Sequence, residues 1–132
     1  MNELKRGSSE DMRDRSELRN IEELLKRAKE LKAEGDFKGA LVIIKRVIQL
    51  SLNLVLSRLG IDTPHDSLLS FYYLIPIEMR PFIGERELEY FEQEYGLTLS
   101  TEYSLDPRFL EASLDIAERV VSWAESLLKN KI

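Results

Sequence analysis

The chain has no cysteine among its 132 residues, one histidine, one tryptophan and only four prolines. Without cysteine there is no disulfide, no thiolate nucleophile and no cysteine-held metal, and the composition suits a reducing compartment. A lone histidine, His65, rules out the His-Glu-x-x-His zinc spacing, and the scattered carboxylates offer no convergent substitute. No Gly-x-Gly-x-x-Gly, P-loop or Gly-x-Ser-x-Gly occurs, so neither phosphate cradling nor serine-hydrolase chemistry has support. Long apolar runs are missing too. The most apolar stretch, Ala40 to Leu59, is interrupted by Lys45, Arg46, Gln49, Asn53 and Arg58, which argues against a membrane span. Met1 to Arg19 carries five charges of each sign and nothing like the apolar core of a signal peptide. These absences predict a soluble, cytoplasmic chain with no metal and no cofactor.

Hydrophobic residues at 43% and charged residues at 33% suffice for one domain with its own core. The net charge of −5 is unevenly spread. Asn20 to Arg58 holds eight basic against five acidic residues, whereas Glu85 to Glu102 holds six glutamates against one arginine. The basic excess is too small to neutralise a phosphate backbone on its own, so charge gives little support to nucleic-acid binding.

Hydrophobic periodicity predicts helices throughout. Residues 1–17 read as a charged arm, mobile or a helical extension, ahead of a single helical domain over 18–132. Asn20 and Glu23 have capping-box spacing before the stripe Ile21, Leu24, Leu25, Ala28 and Leu31. Gly35 supplies a left-handed stop and Asp36 an immediate N-cap, which forces an antiparallel hairpin. The second helix, about 36–59, is apolar on two sides: Leu41, Ile44, Ile48 and Val55 on one, Val42, Ile43, Leu50 and Leu54 on the other. Thr63, Pro64 and Asp66 suit the start of a short helix carrying Phe71, Tyr72 and Ile75. Pro76 to Gly84 reads as a loop or broken turn. Glu85 to Tyr95 returns to helix and stops at Gly96, and Leu97 to Leu105 is a connector that suits an extended form. Asp106 and Pro107 open the last helix, about 107–129. Its seam is Leu110, Leu114, Ala117, Val121, Ala124 and Leu128, with a second apolar row through Phe109, Ile116, Val120, Trp123 and Leu127. The expected fold is an all-α, up-and-down bundle of about five helices.

Several polar groupings invite a functional reading. Glu85, Glu87, Glu89, Glu92 and Glu94 spread around their helix as a solvated face does, rather than converging on a metal. Tyr72, Tyr73, Tyr90, Tyr95 and Tyr103 sit among aliphatic and acidic residues, as core or rim aromatics do, and are poorly placed as a base-stacking platform. Arg46, Gln49 and Asn53 form a polar stripe between apolar ones. It is either the solvent edge of the second helix or one wall of a cleft where Arg46 and Arg58 would meet an anion. His65 is able to act as a general acid or base, or to support its loop through local hydrogen bonds.

The order of elements resembles the HEPN superfamily, in particular its small stand-alone prokaryotic members. The likeness rests on the hairpin with Gly35-Asp36-Phe37 at its turn and Ala40 beyond it. It also rests on the connection from Gly60 to Leu68 with its His65-x-x-Leu68 helix start, and on the closing pattern Ala117-x-x-Val120-Val121-x-Trp123-x-x-x-Leu127. It covers most of the chain after Leu18. The resemblance implies a helical bundle that homodimerises. It implies one of two roles: a metal-independent ribonuclease with an Arg-x(4–6)-His motif, or a non-catalytic partner of a protein such as a nucleotidyltransferase, as in toxin-antitoxin-like pairs, sometimes with nucleotide or RNA. Arg58 precedes His65 with six residues between. Gly60 and Pro64 interrupt that pair, and the closing helix, where the family carries its motif, has no histidine. The reading is therefore a non-catalytic interaction module, with ribonuclease chemistry through His65 and Arg58 or Arg46 as the alternative.

Overall fold

The computed structural model describes residues 2–61, 67–81, 83–100 and 105–129, with side chains from Met12 onward. The described residues form five α-helices and no strand: α1 (Asn2–Ala33), α2 (Phe37–Arg58), α3 (Leu68–Leu74), α4 (Glu85–Ser100) and α5 (Pro107–Lys129). A single 3₁₀ turn, Ile77–Met79, joins α3 to α4.

The hairpin between α1 and α2 forms as its turn residues dictate. Gly35 adopts φ +87°, where a side chain would be strained, and Asp36 Oδ1 accepts the Gly39 N–H at 3.0 Å. A second left-handed glycine, Gly60 at φ +78°, closes α2 beyond its cap, Leu59. α2 is the hub. It packs along α1 and α5 and meets α3 and α4, so Leu41, Ile44, Val47, Ile48, Leu52 and Leu56 are all fully buried. By length and composition α2 alone would pass as a membrane-crossing helix, contrary to the expectation from its polar residues. Those apolar positions are spent on its four neighbours.

Three expectations need correction. First, Asn20 and Glu23 cap nothing, because α1 runs through them from Asn2. The charged segment is the first half of that helix, continued by residues of good helix propensity and opposite charges at i, i+4 such as Arg13 and Glu17. Second, Gly96 does not end α4, which continues to Ser100; one glycine costs a helix only about 1 kcal/mol, and Ser100 Oγ donates back to the Gly96 carbonyl at 2.6 Å. Third, α3 begins at Leu68, not at Pro64. One of its first N–H groups, that of Leu69, is served from another helix: Glu92 Oε1 of α4 accepts it and also the Ser67 hydroxyl, each at 3.2 Å. The expected cap at Thr63 to Asp66 lies outside the described residues.

The second apolar row of α5 is satisfied within the chain. Phe109, Ile116, Val120 and Trp123 are buried, as is Leu54 on the second face of α2. Large apolar residues left exposed include Val42 on α2, Tyr73 and Leu74 on α3, and Ile77, which is 77% exposed.

Candidate functional site

The residues singled out from sequence do not come together. Arg46 and Arg58 both lie on α2, twelve positions apart, so about 18 Å along the axis and about 120° around it. Arg46 and Asn53 are exposed and Gln49 is half-buried, with Val42 and Ser57 on the same outer edge. That stripe is the solvent edge of α2 rather than a cleft wall. Arg58 has a definite task instead. Its Nη1 lies 3.5 Å from Asp14 Oδ2, with the two side chains only 12% and 15% exposed, tying the end of α2 to α1. His65 lies outside the described residues, as does Tyr103.

The tyrosines are dispersed as well. Tyr72 is buried and donates to the Ile83 carbonyl, Tyr90 sits edge-on against Phe109, and Tyr95 stacks on Phe91 beneath the Lys45 ammonium. Tyr73 donates to Glu85 Oε2 at 2.9 Å, a bond that, with the nearby negative charge, raises the phenol above its ordinary range. No group of acidic or histidine side chains suited to hold a metal occurs among the described residues. The acidic row of α4 serves the fold, since Glu85 holds Tyr73, Glu87 holds Arg119 and Glu92 caps α3.

A wide concavity lies elsewhere, between the 3₁₀ turn and the outer face of α5. It encloses about 700 Å³. One wall is Glu78, Met79 and Arg80; the other is α5 from Asp115 to Leu127, Trp123 included. The Trp123 indole N–H donates to the Met79 carbonyl at 2.6 Å, pinning turn to helix across the sequence and leaving the ring 9% exposed. Arg119 fixes the other end, donating through Nη2 to Glu87 and through Nε to Asp115, each at 2.9 Å. Arg80 is held in turn by the carbonyls of Ile75 and Tyr73, with its guanidinium 5.0 Å from the centre of the Tyr72 ring.

This site was missed from sequence because its floor belongs to residues that look like core or loop. Trp123 was assigned to the second apolar row and Met79 to a broken turn. One signal was present: Arg119, Ser122 and Ser126 flank Trp123, which sets small and charged residues around a large aromatic on the outer side of α5.

Chemically the groove is a preorganised surface. Its volume falls in the range of ligand-binding clefts, and its floor is apolar with a charged rim. Its described lining holds two serines, Ser122 and Ser126, and the α5 carboxylates Asp115 and Glu118. No family model, curated protein or solved structure matches the chain.

Proposed function

We propose that this chain is a non-catalytic, HEPN-like helical interaction module, cytoplasmic, that seats a protein partner in the groove between Met79 and α5. One observation carries the reading: a groove with an apolar lining whose two walls are joined by the Trp123–Met79 hydrogen bond, with Arg119 of the α5 wall tied to Glu87 of α4. Preformed surfaces of this kind bind with little ordering cost, and a central aromatic with a charged rim is the common anatomy of a binding hot spot. A nucleotidyltransferase is the partner type that the HEPN resemblance suggests. A second copy of the chain competes for the same face, because Ile77, next to the lining residue Glu78 in the turn, is exposed.

A photo-crosslinking residue placed at Ser126 in the groove and, separately, at the exposed Ala112 of the same helix tests the reading in cells. A protein adduct at Ser126 alone is the expected outcome; adducts at both positions, or at neither, contradict it. The alternative, a metal-independent ribonuclease using His65 with Arg58 or Arg46, starts from an arginine already joined to Asp14. Its test is RNA cleavage by the purified chain: cleavage that disappears in His65→Ala and in Arg58→Ala would replace the binding reading with that one.

A further inference from the structure

We infer that the segment seated in this groove is a basic amphipathic helix, an inference that rests on the reading of the groove as a docking surface. Shape supplies the first half of the argument. The α5 wall runs from Asp115 to Leu127, about 18 Å or slightly more than three helical turns. Trp123 and Leu127, at i and i+4 on α5, and Met79 of the turn supply the apolar lining, with Ser122 and Ser126 beside them. The charged lining residues come from α5 (Asp115, Glu118, Arg119) and from the turn (Glu78, Arg80). A partner helix presenting apolar residues at i, i+3 and i+4 matches such a lining.

Charge supplies the second half. The walls and their supports carry four carboxylates, Glu78, Glu87, Asp115 and Glu118, against Arg80, Arg119 and Lys29, the last lying 3.5 Å from Glu118. The cations are committed internally. Arg119 serves Glu87 and Asp115, and Arg80 serves two carbonyls and two tyrosine rings. Glu78, on the lip and exposed, has no hydrogen-bond or ion-pair partner among the described residues. Glu87, Asp115 and Glu118 are paired with these cations, so Glu78 is the carboxylate that an incoming ammonium or guanidinium meets without displacing a pair. An incoming carboxylate would have to displace an existing pair.

The chain's only tryptophan lies in the groove wall, so its emission reports occupancy with no label. The probes are two helix-forming peptides of about fourteen residues, long enough to fill the groove, one of leucine and lysine and one of leucine and glutamate. The full chain is titrated with each. A saturable change in Trp123 emission with the leucine–lysine peptide is expected, reduced by added salt because rim charges are screened. Glu78→Lys should weaken that binding about fivefold, whereas Glu23→Lys, an exposed reversal on α1 outside the groove, should leave it unchanged. Equal binding of the leucine–glutamate peptide, or equal effects of the two reversals, overturns the inference. Emission that follows protein concentration alone, with a dimer in light scattering, assigns the groove to a second copy; the inference then falls while the docking reading stands. No change with either peptide or with concentration removes both.

Discussion

Replacing Arg58 by methionine should destabilise the fold without touching any chemistry. The guanidinium and the Asp14 carboxylate are 3.5 Å apart and largely covered. At an effective dielectric near 20 their gross attraction is about 4 to 5 kcal/mol, most of it offset by the desolvation of both groups. Removing one partner leaves the other charge poorly solvated, so either single variant, Arg58→Met or Asp14→Asn, should lose about 2 kcal/mol. Both side chains have further interactions, so neither single loss equals the strength of the pair. The double-mutant cycle isolates it, and a coupling of about 1 kcal/mol is expected. Urea unfolding of the four proteins measures it, and thermal melts should show each single variant about 8 °C lower. A coupling within about 0.3 kcal/mol of zero would refute the reasoning. Arg58 would then be no structural tie, and its place in a ribonuclease centre would deserve a fresh test.

Three further outcomes follow from particular contacts. Trp123→Phe removes the indole donor and leaves the Met79 carbonyl without that partner, at a cost of about 1 to 2 kcal/mol. Amide exchange in the Ile77–Met79 turn should quicken more than in α2, and uniform quickening would count against the pin. Gly39→Ala should gain less than the usual helix benefit of about 1 kcal/mol, because a Cβ there would meet the Asp36 carboxylate that caps α2; a full gain in a urea melt would mean the cap is dispensable. Glu125 is held above the ordinary carboxylate range, first by burial and then by its hydrogen bond to Glu22. The folded state thus binds that proton more tightly than the unfolded chain, so this group's contribution falls as pH rises. Glu125→Gln should be a few tenths of a kcal/mol more stable than wild type near neutral pH, with the difference vanishing in acid, and a gain that grows in acid would reverse the assignment.

The long helices were legible because their boundaries are written in residues with one strong local preference. Asp36, Gly35, Gly60 and Pro107 stand where cap and stop chemistry put them, and the seam of α5 from Leu110 to Leu128 is buried as its spacing implied. Legibility failed where tertiary terms outweighed local ones. Gly96 reads as a stop, yet α4 runs on to Ser100. At the start of α3 the Leu69 N–H is accepted by Glu92, more than twenty residues later, a contact that no local spacing encodes. Helical periodicity counts apolar faces on each helix but not the neighbours that cover them, and α2 has four. The groove was invisible because a wall built from Met79 and Trp123 depends on a hydrogen bond that no spacing encodes.

The two candidate surfaces, the outer edge of α2 and the groove on α5, are separated by one spectrum. In a nitrogen-15 correlation titration with the leucine–lysine peptide, the single indole N–H of Trp123 should shift and saturate. The backbone signals of Glu78 to Arg80 and Asp115 to Leu127 should move with it, while Arg46, Gln49, Asn53 and Arg58 stay in place. Shifts that centre on Arg46 to Arg58 with a stationary indole signal would contradict the account and return the functional surface to α2.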